Sequence, residues 1–151
     1  MRRPERRRRS KVLASGTFNG EINLWDIDKQ KEIASFSNER RSVYGLALSA
    51  DRKKPLSSCG ADVILKDTVK GMPLGRFMGN KGSASRVAFA PDEKLVVAQA
   101  IQFMVWDART FEHLPAFDHS PVFSLAITPD SKNLLSCDAK GNIKLYEMPR
   151  R

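Results

Sequence analysis

Asp118, His119 and Ser120 stand side by side in this chain, and together they are the residue types of a proton relay that turns a serine into a nucleophile. Consecutive side chains leave the backbone in different directions, so the run reads instead as a loop with a structural histidine. Cys59, Cys137, His113 and His119 are the thiols and imidazoles from which a metal site could be built. No C-x-x-C or H-x-x-x-H spacing joins them, so no metal is expected. Each cysteine follows a serine, Ser58 and Ser136, which suggests equivalent places in separate units, beyond the roughly 7 Å that a disulfide spans. Two buried, inert thiols are the expectation. Gly79-Asn80-Lys81-Gly82-Ser83 offers the glycines and lysine of a phosphate cradle, but it lacks the full spacing, and no helix follows to turn its N-terminus on an anion. No catalytic residue and no cofactor emerges, and the chain is expected not to be an enzyme.

Charge narrows the partners. The 151 residues carry a formal net charge of +9, with 41% apolar and 28% charged side chains, the composition of a soluble folded chain. Arg2, Arg3, Arg6, Arg7, Arg8 and Arg9 against Glu5 give residues 1–10 a net +5, which leaves only +4 for the rest. Nucleic acid or an anionic surface is therefore expected to be held, if at all, by this tail through counterion release. The longest apolar stretch, Leu95 to Trp106, is broken by Gln99 and Gln102 and is shorter than the roughly 20 residues of a membrane span. The basic start runs into Asn19, Gly20 and Glu21 without an apolar segment of secretory length. With only two cysteines, the reading is cytoplasmic, or nuclear in a eukaryote.

The elements that must position any site come from a repeat. Ile22-Asn23-Leu24-Trp25-Asp26 is echoed by Val63-Ile64-Leu65-Lys66-Asp67, Phe103-Met104-Val105-Trp106-Asp107 and Ile143-Lys144-Leu145-Tyr146-Glu147, the acidic residues lying 41, 40 and 40 apart. Leu48-Ser49-Ala50-Asp51, Phe89-Ala90-Pro91-Asp92 and Ile127-Thr128-Pro129-Asp130 recur with spacings of 41 and 38. Two landmarks with one period define a repeat array. The once-per-repeat carboxylates Asp26, Asp67, Asp107 and Glu147 then read as architecture and not as acid–base pairs.

Within each unit the signals are those of strands and turns. Val43 to Ser49, Ser85 to Ala90 and Val122 to Thr128 are short β-rich runs closed by Pro or Ala before Asp. Val12 to Thr17, Leu56 to Gly60, Leu95 to Ala100 and Leu134 to Asp138 are small and apolar, as strands buried on both faces are. The Trp-Asp strands follow, and Glu32 to Ser37, Leu74 to Met78 and Leu114 to Asp118 form a more polar outer set. No helical period is sustained. The chain is expected to be all-β, with four-stranded antiparallel units.

Units of this length with Trp-Asp near the end of the third strand resemble WD-repeat β-propellers. The resemblance covers Val12 to Met148 and is strongest over Leu13 to Asp26 and Val87 to Asp107. It implies a partial propeller over 11–148 with repeats 11–41, 42–83, 84–119 and 120–148 and 14 strands, the first and last units carrying three each; by composition, an Arg-rich disordered tail over 1–10 and a basic end over 149–151 are expected to flank it. The resemblance also implies a network of His119, Ser136 and Tyr146, with Lys140 where an Asp is usual. Ser15 to Trp25 and Ser136 to Tyr146 span ten residues, Ser58 to Lys66 and Ala98 to Trp106 eight. The hairpins of repeats two and three are thus expected to be shortened alike. Since the family closes rings of seven or eight blades, three origins stay open: a piece of a longer protein, a homodimer completing an eight-bladed ring, and a self-sufficient arc or small ring.

Such propellers act as scaffolds that bind proteins or peptides on a rim. That rim would carry Arg40, Arg41 and Tyr44, then Lys81 and Arg86, then Ser120 and Phe123. Tyr44, Ser85 and Phe123 share a register at the start of the first strands. Aromatic and arginine side chains are frequent interface anchors, and the basic residues point to an acidic partner segment. The alternative is that Tyr44 and Phe123 pack between blades and the arginines are solvated.

Overall fold

The computed structural model describes residues 11–37, 41–80, 82–114 and 122–149. They form fourteen strands: β1 Val12–Gly16, β2 Glu21–Asp26, β3 Lys31–Ser37, β4 Gly45–Leu48, β5 Pro55–Cys59, β6 Asp62–Lys66, β7 Pro73–Phe77, β8 Arg86–Phe89, β9 Leu95–Gln99, β10 Phe103–Asp107, β11 His113–Leu114, β12 Ser124–Ile127, β13 Asn133–Cys137 and β14 Ile143–Glu147. Among the described residues there is no helix, and none long and apolar enough to cross a membrane. Each strand pairs antiparallel with the next in its unit, giving four sheets: β1-β2-β3, β4-β5-β6-β7, β8-β9-β10-β11 and β12-β13-β14. These are blades one to four. The outer strand of blade three is described only as His113–Leu114, and the rest of the expected Leu114–Asp118 segment lies outside the described residues.

Four blades make three apolar cores. Ile22, Leu24 and Phe36 of blade one meet Val43, Leu46 and Leu48 of blade two. Leu56, Val63, Leu65 and Phe77 of blade two meet Val96, Ala98 and Trp106 of blade three, and Val97, Phe103 and Val105 of blade three meet Leu134 and Tyr146 of blade four. Side chains alternate across a strand, so each blade turns one face forward, to the next blade, and one back. The second strands of the two middle blades, β5 and β9, are buried along their whole length. Those of the end blades, β1 and β13, expected to be equally enclosed, are less so: no residue of β1 is buried, and β13 is buried only at Leu134 and Ser136.

The blades are wedges. At their inner edge the backbones nearly touch: a Cβ on Gly45 would stand 2.9 Å from Arg86 Cα. At their outer edge they are held apart by aromatic rings, Phe77 with Trp106 at 5.7 Å and with Phe111 at 4.9 Å between centroids. A strand pair thin inside and thick outside must fan about its inner strands.

The register corrects two expectations. Tyr44, Ser85 and Phe123 donate their backbone N–H to the carbonyls of Ser58, Gln99 and Cys137, and Val63, Phe103 and Ile143 lie opposite the same three residues. Ser57, not Ser58, therefore matches Ser15 and Ser136, and Cys59 lies one place beyond the site of Cys137. Cys59 is buried, while Cys137 is only partly so, because it stands on the face of the last blade. The hairpins are also not alike. From the matched pairs, four residues connect Ser58 to Val63 and three connect Gln99 to Phe103, against five in blades one and four.

The turns explain the recurring carboxylates. Asp26 accepts from Lys29 N, Asp67 from Val69 N and Lys70 N, and Asp107 from Arg109 N and Thr110 N, all within 3.0 Å. At the other hairpins Asp51, Asp92 and Asp130 accept from Lys53 N, Lys94 N and Lys132 N. The next residues, Arg52, Glu93 and Ser131, have φ of 63°, 58° and 60°, a left-handed step that closes the same turn three times. Hydrogen bonds to the ionised form hold the carboxyls of Asp51, Asp67, Asp130 and Asp138 below the ordinary value. The leading causes are the Ser49 hydroxyl, the Lys70 amide, the Thr128 hydroxyl and the Asn142 side chain.

A depressed folded-state value means stability that is full above the unfolded value, about 3.9 for Asp, and lost as pH falls through the folded one. The urea midpoint is therefore expected to lose this contribution below about pH 4, and the Asp51→Asn, Asp67→Asn, Asp130→Asn, Asp138→Asn chain to lose less. Equal acid sensitivity of the two chains would refute this origin.

Candidate functional site

The loops entering the first strands and the turns between second and third strands come together on one rim. Backbone bonds weld it: Val43 N donates to Thr17 O at 3.0 Å and Ala84 N to Gly60 O at 2.8 Å, each joining one blade's turn to the next blade's entry. Between blades three and four, where the turn is shortest, the buried Gln99 side chain makes the link, its Nε2 donating to Val122 O at 2.8 Å. Loop positions fixed in this way lose little freedom on binding.

On this welded edge the structure leaves apolar side chains in solvent. Tyr44 is 52% exposed and Phe123 65%, so neither packs between blades. Two residues that the sequence reasoning missed join them. Phe18, at 78% exposure, sets its ring edge-on to Tyr44 at 6.3 Å, and Ile101, at 59%, tips the short turn of blade three. The signal was available: each is an apolar residue in a turn otherwise made of small and polar ones. Met78 is exposed as well.

The basic side chains are less free than their number suggests. Arg41 pairs with Asp62 at 2.7 Å and Arg76 reaches the same carboxylate oxygen at 3.5 Å, so Arg41 is matched within the chain. Arg86 donates to Ser124 Oγ at 3.2 Å. Arg40, Lys81, Ser120 and His119 lie outside the described residues, as does the Arg-rich tail. The His119 network is thus seen only at its far end, where Ser136 is buried and Tyr146 sets its ring against Phe103 at 5.2 Å.

The other repeat positions behave as architecture. Trp25 Nε1 donates to Ser15 Oγ at 3.0 Å within blade one. Trp106, whose serine equivalent is Ala98, donates instead to Met78 O at 2.9 Å, across the blade boundary. Lys66 stands where blade two would carry the tryptophan, and its Nζ donates to Ser37 O, the equivalent carbonyl of blade one. A buried lysine thus makes the same bond as an indole. Gly79 and Gly82 both have positive φ, and Asn80 Nδ2 donates to Ala61 O at 3.0 Å, so that loop closes on the neighbouring turn and leads to a strand. Among the described residues no three His, Cys, Asp or Glu side chains gather as metal ligands.

Comparison with known proteins agrees with this geometry. The family described as WD domain, G-beta repeat matches residues 110–147, from just before β11 to the end of β14. The target of rapamycin complex subunit wat1 of Schizosaccharomyces pombe is 28% identical over 144 residues, which cover 92% of this chain and 46% of that protein. The chain thus spans about half the length of this relative. With four antiparallel blades, a repeat of about forty residues and these two likenesses, the chain is all-β, built as incomplete propeller blades, and similar to proteins of the WD-repeat family.

Proposed function

We propose that the chain is a non-catalytic scaffold whose rim captures an extended segment of a protein partner. The observation that carries this is the set of exposed apolar anchors, Phe18, Tyr44, Ile101 and Phe123, on backbone that neighbouring blades already fix. Exposed aromatic groups on rigid loops bury area at small entropic cost, the usual basis of binding hot spots. Membership of a complex by the wat1 protein, as its name states, supports a protein as the partner class. An acidic accent in that segment is the finer part of the proposal. It rests on Arg86 together with Arg40 and Lys81, and less on Arg41, which Asp62 already neutralises. Two cysteines outside any disulfide suit a reducing, cytoplasmic setting.

Synthetic peptides of three compositions, aromatic with acidic, aromatic with basic, and acidic alone, test this by fluorescence anisotropy. The first is expected to bind best. Tyr44→Ala and Phe123→Ala should each weaken it by about tenfold or more, as hot-spot truncations of over about 1.4 kcal/mol do. Arg86→Glu should weaken it less, with a reduced salt dependence. Equal binding by all rim variants would overturn the assignment.

A further inference from the structure

We infer that the edge opposite the rim carries, on blade two, a site for an anionic phospholipid surface. Two turns build it, residues 51–54 between β4 and β5 and residues 67–72 between β6 and β7, joined by the bond from Thr68 N to Lys53 O at 2.9 Å. Blade three repeats this backbone: Asp107 N donates to Glu112 O as Asp67 N does to Met72 O, and Ala108 N reaches Lys94 O as Thr68 N reaches Lys53 O. Blade one pairs Asp26 with Lys31 at the same place. The neighbouring blades thus show which side chains these turns need and which they do not.

Where blade one has Asp28 and Lys31 and blade three has Arg109 and Glu112, blade two has Val69 and Met72, and these stand 85% and 64% exposed. Where blades three and four have Glu93 and Ser131 it has Arg52, and where they have Leu95 and Asn133 it has Lys54. Lys53 and Lys70 lie on the same two turns, and none of these four cations forms a salt bridge among the described residues. The nearby carboxylates are turned into the backbone: Asp51 accepts from Lys53 N, Asp67 from Val69 N and Lys70 N, and Glu93 from Ala50 N. Neither the apolar tips nor the added charges serve the fold, since the same turns form without them. Together they fit one occupant. Lysines gain from anionic headgroups close to the surface, and an apolar side chain at a turn tip gains by entering the boundary between headgroups and acyl chains. A protein partner would need a pocket shaped to a valine that stands out from the surface, whereas a bilayer needs none. Nucleic acid would draw the lysines but leave Val69 and Met72 in water. A bilayer docked here leaves Tyr44 and Phe123 open on the other edge.

Flotation of the full chain with phosphatidylcholine vesicles, made with and without phosphatidylserine, is the test. Binding is expected only with the anionic lipid. Val69→Ser with Met72→Ser, which removes the tips and keeps every charge, should weaken it by about tenfold. Lys53→Gln, Lys54→Gln and Lys70→Gln together should weaken it by about a hundredfold, roughly fivefold for each lysine. Arg109→Gln, in the equivalent turn of blade three, should leave it unchanged. All these positions are exposed, and far-UV circular dichroism checks that the variants keep their sheets. Vesicle binding that ignores either set of substitutions, as binding through residues 1–10 would, overturns the site, and so does an absence of binding. A soluble polyglutamate peptide forms the last arm: its capture through the three lysines, with no dependence on Val69 and Met72 and no binding of vesicles, would make this an acidic-protein site instead.

Discussion

Replacing Trp106 by alanine is expected to lower the unfolding free energy by about 3–5 kcal/mol, the range for emptying a buried aromatic site, whereas Trp25→Ala should cost the monomer only about 1 kcal/mol. The two residues hold the same place in their repeats. The difference lies in what covers them. Trp106 is fully buried between blades two and three, touches Phe77 and His113 with centroids 5.7 and 6.1 Å away, and bonds across the boundary to Met78 O. Trp25 lies on the back face of blade one, is only partly covered, and donates to Ser15 of its own sheet.

Urea titrations measure the contrast. Trp106→Phe separates its two parts: the ring is largely kept, but Met78 O loses its donor, for a cost of about 1–3 kcal/mol. Equal losses at Trp25 and Trp106 would mean that blade one's back face is as enclosed as the inner boundaries.

How far the sequence disclosed the molecule follows from which interactions are local. Strand identity and order were legible because alternation and turn chemistry are local: the Asp residues after Leu48, Phe89 and Ile127 cap the turns that their spacing announces. Register was legible only to within a residue. Ser57 and Ser58 are identical in type, and only the cross-strand bond from Tyr44 to Ser58 tells which faces forward. Lys66 was invisible as a boundary residue because nothing in its type announces that its Nζ will meet Ser37 O, a group 29 positions away. The rim was legible in part. Tyr44 and Phe123 follow from the period, but the pairing of Arg41 with Asp62 depends on how two blades abut, and it changes a presumed binding charge into an internal one.

Gly45→Ala is expected to separate the blades from within. A Cβ there would meet Ser58 Oγ at 2.8 Å, Arg86 Cα at 2.9 Å and the Arg86 carbonyl carbon at 3.1 Å. A hydroxyl can rotate away, but two of these three atoms belong to the β8 backbone, and they can move only if blade three moves with them. Overpacking of this kind costs about 1–3 kcal/mol, and the loss of unfolded-chain entropy on Gly→Ala returns only about 0.4–1 kcal/mol, so net destabilisation wins. The outer aromatic wedge of Phe77, Phe111 and Trp106 then becomes the reporter. Of the two tryptophans, Trp25 can be replaced by Phe, which leaves Trp106 as the sole emitter. In that background Gly45→Ala should shift Trp106 emission to the red and lower the urea midpoint together, because prying apart the inner strands admits water to the boundary. An unchanged spectrum with a lowered midpoint would mean that the strain is absorbed inside blade two. An unchanged midpoint would mean that β4 and β8 do not touch as closely as the fanning of the blades requires.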